Sequence, residues 1–336
     1  MIKQILNNLK KIIIKNIKFL IFIIFIIIIL TIKLPYYIET PGGVINVYDK
    51  FTIENYEVNN DLNLAYVSEL RATIPTFILS KLLSNWDLKK IDTNTTNLDL
   101  EQTYFRDRLL LEEANDKAIM LAYQKANKSF TIDSNKIYIT YIYPQAITNL
   151  EIGDQIISIN ETVIKSVSDI TDIIENLKIG DTVNIDVISN NKITIKTATL
   201  INYKSKKMIG IVLTEDKEII SNPTIEINFS KNESGSSGGL MMTLAIYTQL
   251  TNFDLSKLGK IVGTGTISDD GTIGQISGLK YKIAGAVKEK TNIFIVPLGN
   301  NYNEAIQLKK DNDYDIEIIG VSTFDEVIDI LTKKIS

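Results

Sequence analysis

Apolar residues along this chain fall into several rhythms, and each rhythm predicts a different element. Near the N-terminus, Phe19 to Ile32 is almost wholly Ile, Phe and Leu, with no helical alternation that would mark a polar face. With Ile17 and Leu34 included, the stretch approaches the ~20 residues a membrane-spanning helix needs. Lys3, Lys10, Lys11, Lys15 and Lys18 precede it, whereas only Lys33 follows closely. The positive-inside bias therefore predicts a cytoplasmic tip and a single-pass transmembrane anchor within 1–35, with everything after Pro35 extracytoplasmic. A cleavable signal peptide is the alternative, but no small-x-small site follows Leu30 to serve it.

Beyond the anchor, strand-like and helix-like patterns alternate, which predicts an α/β (α+β) chain in three blocks. In the first, 36–127, Pro41-Gly42-Gly43 reads as a turn before a strand over Val44 to Phe51, followed by helices over Thr76 to Ser84 and Tyr104 to Lys125. Leu109, Leu110, Ala114, Ala118, Leu121 and Ala122 make an apolar stripe on the second helix, which assigns it to the core. In the second block, 128–203, strands are expected over Lys136 to Tyr143 and Ile156 to Asn160, with a turn at Leu150 to Asp154 between them. A short helix over Ser168 to Lys178, N-capped by Ser168, comes next. A hairpin of Asp181 to Ile188 and Lys192 to Leu200 then turns at Asn190-Asn191.

The third block, 204–336, opens with strands at Ile211 to Leu213 and Thr224 to Phe229. Leu240 to Leu250 is apolar nearly throughout and predicts a buried helix. Ile261 to Ile267 is strand-like, Asp270-Gly271 turns the chain into Ile273 to Ile276, and Ser277 to Ala286 opens a helix. Ile293 to Val296 predicts a buried strand closed by Pro297, and Thr323 to Lys333 a final helix.

Composition narrows the chemistry. The 336 residues, 45% hydrophobic, can build a packed interior, and a net charge of -4 offers no basic surplus for nucleic acid. There is no Cys and no His. Thiol nucleophiles, disulfides, iron–sulfur clusters, His-based metal sites and a Ser-His-Asp triad are therefore all excluded. A base for acyl transfer must then be a carboxylate, a Lys or the terminal amine, and with the terminus behind an anchor, Lys leads.

One stretch offers a nucleophile. Glu233-Ser234-Gly235-Ser236-Ser237-Gly238-Gly239 runs straight into the buried Leu240 helix, which sets Ser237 at or just before its first turn. Free N–H groups and the positive dipole end at a helix N-terminus suit a developing oxyanion, and glycines let a substrate carbonyl approach the backbone. A Gly/Ser linker or a simple helix cap would look the same in isolation. A phosphate loop would need a Lys directly after the glycines, and none is there. Downstream, Lys280 and Lys282 are two positions apart and cannot share a helix face, so one can point outward and the other toward the core.

Two resemblances follow. Tyr143-Pro144-Gln145-Ala146, Leu150 to Ile156 and Ile159-Asn160 resemble a bacterial-type PDZ domain, which implies peptide binding by strand addition. No Gly-rich loop precedes Lys136 to hold a terminal carboxylate. Gly235-Ser236-Ser237-Gly238-Gly239 resembles the nucleophile motif of Lon-type peptidases, with Ser236 for the usual Pro and Gly238 for the usual Ala. Thr264-Gly265-Thr266-Ile267, Gly271 and Gly278 to Lys282 resemble the Lys-bearing motif of that family. Taken from anchor to C-terminus, the chain is similar to membrane-anchored, PDZ-containing Lon-like serine proteases.

The resemblance implies a Lon-type proteolytic domain formed from 36–127 and 204–336, with a PDZ domain, 128–203, inserted. Met120 and Ala122 lie where that family carries a Met-containing helix. Ser237 is implied as nucleophile, Lys282 as general base and Thr264 as the hydroxyl that orients the Lys, with the Gly235-Ser236 loop and the Ser236 and Ser237 N–H groups at the oxyanion. No metal, nucleotide or other cofactor is implied. No Gly-x-x-x-x-Gly-Lys-Ser/Thr motif occurs, so an ATP-driven motor is not expected. Expected partners are unfolded or membrane-proximal polypeptides and, through the anchor, the lipid bilayer, while assembly into a homo-oligomer is left open. The rival reading is a non-catalytic PDZ scaffold on an inactive Lon-like fold.

Overall fold

The computed structural model describes residues 10, 13–57, 60–91 and 97–336. The architecture is mixed α/β, built on two sheets. A six-stranded sheet runs in the order Glu317–Val321, Ile293–Pro297, Ile261–Gly263, Leu62–Thr73, Lys33–Asn46, Asp87–Lys90. Ile293–Pro297 pairs in parallel on both sides and is buried at every position, as an interior strand covered on both faces must be. Its alternation divides the core. Ile293 and Ile295 face a cluster with the Gly239–Thr251 helix, whereas Phe294 and Val296 face one with the Leu279–Lys288 helix. The strand end thus brings the Ser237 and Lys282 helices to one sheet from opposite sides.

The second sheet orders Ile211–Asn222, Ser129–Ile142, Gln155–Ile159, Thr182–Ser189, Lys192–Thr199 and Ile147–Thr148, with Thr162–Val163 paired to Gln155–Ile159. Ile137, Ile156, Ile185 and Val187 lie in a separate apolar cluster. Ile211–Asn222 runs antiparallel to Ser129–Ile142 from Ile211 opposite Ile142 to Asn222 opposite Ser129. The chain therefore enters and leaves this unit side by side. The Asn97–Lys125 helix packs against both the Gly239–Thr251 helix and the Ile211–Asn222 strand.

Several expectations change here. The expected transmembrane anchor is not supported: the N-terminal helix is Ile17–Thr31, 15 residues, which at 1.5 Å per residue spans roughly 22 Å against a hydrocarbon core of ~30 Å. Leu34, counted toward the span in sequence, and Lys33, the charge that follows the run, already belong to the strand Lys33–Asn46. No helix among the described residues is long and apolar enough to cross a membrane. The single-pass location, the extracytoplasmic placement of the rest and the bilayer as partner are corrected accordingly. Residues 1–9, 11 and 12 of the expected cytoplasmic tip lie outside the described residues.

Pro41-Gly42-Gly43 does not turn the chain. It lies within the strand Lys33–Asn46, where the register shifts between Pro41 and Val44. A Cβ on Gly42 would fall 2.4 Å from the Tyr66 carbonyl oxygen, so the bulge needs glycine there. Asp87–Lys90 reaches only Tyr36 to Glu39 on the far side, which leaves Pro41 at an edge, where a missing N–H is tolerated. The helix expected from Ser168 is Val167–Glu175, and its cap is Ser166, whose hydroxyl accepts from Asp169 N while the Asp169 side chain reaches back to the Ser166 backbone.

Candidate active site

Ser237 stands two residues ahead of the Gly239–Thr251 helix, whose N-cap is Gly238. Gly235, at φ +91°, supplies the positive φ that lets the loop double back. The loop is held on both sides. Gly265 N donates to the Ser237 carbonyl at 2.8 Å, Leu240 N donates to the Gly265 carbonyl at 3.0 Å, and Gly235 N donates to the Asp107 carbonyl at 3.0 Å. A Cβ on Gly239 would stand 2.9 Å from Ile267, so the helix end can sit this close to the following strand only as glycine.

Lys282 lies in the first turn of the Leu279–Lys288 helix, which starts after Gly278 at φ +70°. It is 4% exposed. Its Nζ lies 2.7 Å from Ser237 Oγ and 3.0 Å from Thr264 Oγ1. Thr264 is fully buried, and its hydroxyl donates to the Ser237 carbonyl at 3.1 Å, which turns an oxygen lone pair toward the amine. Among the described residues no carboxylate pairs with Lys282. Burial alone therefore acts on it, and the amine is pulled from 10.5 down to about 8.

Lys280 has the opposite surroundings. Its side chain is 39% exposed and ion-paired with Asp87, and it lies over the Tyr281 ring at 4.9 Å. Tyr281 also donates its hydroxyl to Asp87. The helix thus turns Lys280 to the edge strand and Lys282 to the core. Of the sequence candidates, Ser237, Lys282 and Thr264 meet through side chains or the Ser237 carbonyl, and Ser236 and Gly235 adjoin through the backbone. Among the described residues the N–H groups of Ser236 and Ser237 donate to no protein acceptor. Met120 is half-buried and Ala122 fully buried on the long helix.

A cleft of about 440 Å³ opens beside Ser237. Leu64 to Ser68 form one wall, Leu111, Ala114 and Asn115 of the long helix a second, and Glu233 to Gly235 a third. Ile261–Gly263 pairs with the Leu62–Thr73 strand only from Leu62 to Leu64. From Ala65 to Ser68 the wall along the cleft is therefore strand edge that this neighbour does not cover. Sequence reasoning missed Asn115 and Asp107, because nothing local marks a helix face as lining a cleft made by distant loops. Among the described residues, no group of three His, Cys, Asp or Glu is arranged to hold a metal ion.

Comparison with known proteins adds two likenesses. The family model for the PDZ domain matches residues 121–199. The Lon protease of Mycoplasma mobile is 28% identical over 171 residues, covering 47% of this chain and 20% of that protein, so the chain spans about a fifth of this relative's length. Among solved structures, the PDZ domain of the SdrC-like protein from Listeria monocytogenes is 28% identical over 25% of this chain and 90% of its own, at a TM-score of 0.22. The corresponding domain from Listeria innocua is 28% identical over 23% of this chain and 92% of its own, also at 0.22. This chain carries a PDZ domain.

Proposed function

We propose that this chain is a serine endopeptidase that uses Ser237 as nucleophile and Lys282 as general base, without ATP. The observation that carries this reading is the 2.7 Å approach of a buried, carboxylate-free lysine amine to a serine hydroxyl at the edge of a cleft. Similarity to a Lon protease supports it.

A lysine ordinarily holds its proton near ~10.4 and is no base at neutral pH. Near 8, a useful fraction is neutral, and the lone pair of the neutral amine can take the Ser237 proton as Oγ bonds to the peptide carbonyl carbon. The carbonyl π electrons move to oxygen, and the Ser236 and Ser237 N–H groups stabilise that oxyanion. Its collapse expels the amine, which takes the proton from the Lys282 ammonium and leaves an acyl ester on Ser237. Water, giving a proton to the neutral Lys282, then attacks the ester, and collapse of that second tetrahedral intermediate returns the proton from the Lys282 ammonium to the departing Ser237 Oγ. Thr264 keeps Nζ aimed at Oγ throughout.

The catalytic unit in this reading joins the flanks 36–128 and 223–336, because Ile211–Asn222 pairs with Ser129–Ile142 and so goes with the PDZ-bearing unit between them. PDZ domains bind peptides, which accords with polypeptide partners. Unfolded or flexible segments are the substrates in this reading, in keeping with a sequence that holds no Gly-x-x-x-x-Gly-Lys-Ser/Thr motif to power unfolding. Incubation of the purified chain with an unfolded polypeptide tests it. New termini should appear with wild type and not with Ser237→Ala, whereas absence of cleavage by wild type leaves the rival binding-scaffold reading.

A further inference from the structure

Asn115 lies on the long helix between Ala114 and Asp116 and lines the cleft that also holds Ser237. It is 6% exposed, yet among the described residues its carboxamide makes no hydrogen bond. A buried amide without a partner costs about 1–3 kcal/mol, and folded chains keep few of them. Its polar atoms are not sealed in protein. Among the described residues the partnerless atoms that are wholly enclosed are Asn135 Oδ1 and Gln249 Oε1, so the Asn115 carboxamide keeps some contact with water, which a ligand filling the cleft that Asn115 lines would displace.

The surroundings define what can reach it. Leu64, Leu111, Ala114 and Met242 are all buried apolar walls of the same cleft. An extended substrate backbone would lie at the rim, along the edge of Ala65 to Ser68 that Ile261–Gly263 leaves uncovered. Asn115 lines the same cleft from the long helix. A group that reaches it must therefore be a side chain, with an apolar stem against Leu64, Leu111 and Met242 and a hydrogen-bonding tip. The tip cannot be anionic, because the carboxylates of Glu69 and Glu233 line the same cleft and would repel it.

We propose that Asn115 is a specificity-determining residue and that the cleft selects a hydrogen-bonding substrate side chain that carries no negative charge, such as Gln, next to the scissile bond. This rests on the peptidase reading above. A purely apolar side chain would leave the buried carboxamide unpaired, and sites built to hydrogen-bond a substrate group discriminate strongly against analogues that lack it. Asn115→Leu removes that penalty while keeping a side chain of similar size.

The test uses the purified chain and paired unstructured peptides that differ only in Gln against norleucine at one position, the residue beside the cleavage point where cleavage is seen and otherwise each position of a bound peptide in turn. Two readouts are taken: kcat/KM for wild type and Asn115→Leu, and peptide affinity by calorimetry on Ser237→Ala with and without Asn115→Leu. Wild type should prefer Gln by at least about tenfold. Asn115→Leu should abolish or reverse the preference while cleaving the norleucine peptide at least as well as wild type, and the affinities should follow the same order. An unchanged Gln preference in both readouts after Asn115→Leu overturns the role of Asn115. A Gln preference in affinity that depends on Asn115, without hydrolysis by wild type, sustains the role and overturns the peptidase reading instead. If Asn115→Leu fails to fold, Asn115→Asp takes its place, and an unaltered Gln-to-norleucine ratio there counts against the proposal equally.

Discussion

At the residue scale, the site depends on two neighbouring lysines with opposite fates. Ser237→Ala and Lys282→Ala should each lower peptide hydrolysis by at least about a thousandfold, as losses within a nucleophile–base unit do, with far-ultraviolet circular dichroism unchanged. Lys280→Ala removes a part-exposed ion pair with Asp87 and a contact over the Tyr281 ring, each worth about 0–1 kcal/mol, and should leave kcat/KM within a few-fold. A dead Lys280→Ala beside an active Lys282→Ala would reverse the two roles. The pH dependence has a definite sign. Lys282 must be neutral to act, so kcat/KM should rise through about pH 8 and hold on the alkaline side, with no histidine in the chain to add a limb near ~6.5. Stability follows the same amine. Below pH 8 both folded and unfolded chains carry the proton, and the folded state bears the whole burden of a buried charge, about 3 kcal/mol for this displacement. Between about 8 and 10.5 the unfolded chain binds more protons than the folded one, and stability gained from deprotonation offsets that burden. Lys282→Met should therefore melt higher than wild type below pH 8, with the gap narrowing above it. Equal melting temperatures across that range would mean the amine is solvated.

At the element scale, the Leu279–Lys288 helix is set by its contact with the Lys33–Asn46 strand. A Cβ on Gly285 would stand 3.3 Å from both N and Cα of Gly43, backbone atoms that cannot swing aside. Gly285→Ala gains up to about 1 kcal/mol of helix propensity, while overpacking of this kind costs about 1–3 kcal/mol. The clash should win, with a net loss near 1 kcal/mol in urea unfolding and a fall in kcat as Lys282 is lifted from Ser237. A stabilised, fully active Gly285→Ala would show that the helix can shift freely. Elements with strong local signals were legible in the sequence: the apolar run at Leu240 to Leu250 became the buried helix Gly239–Thr251, and Ile293 to Val296 became the fully buried strand Ile293–Pro297. Signals that depend on distant partners were not. The strand begun at Ile211 runs on to Asn222 because Ser129–Ile142 offers a partner, and its polar stretch Thr214 to Lys217 hides that length. Pro41-Gly42-Gly43 carries the composition of a turn, yet Tyr66 on the next strand makes it a bulge. At the N-terminus the apolar run gave no sign that Lys33 would join a sheet.

At the scale of the whole molecule, pairing of Asn222 with Ser129 brings the two ends of the PDZ-bearing unit together. Replacement of 129–222 by a short Gly-containing turn should therefore leave the other core folded. We expect the shortened chain to unfold cooperatively and to keep cleavage of short peptides, while cleavage of long unfolded polypeptides drops through loss of the PDZ domain. An insoluble product, or equal loss on short and long substrates, would mean that the long helix needs Ile211–Asn222 against it to hold the cleft. The central claim is that a buried lysine activates Ser237, and covalent trapping addresses it without knowledge of the substrate. Purified wild type, Ser237→Ala and Lys282→Met are exposed to a serine-directed fluorophosphonate over a range of pH and followed by intact mass and peptide mapping. One adduct is expected on wild type, located on Ser237, forming at a rate that climbs through about pH 8, and none above background on either variant. Labelling of Ser237 at equal rate with and without Lys282, or no labelling of Ser237 at any pH, would contradict it.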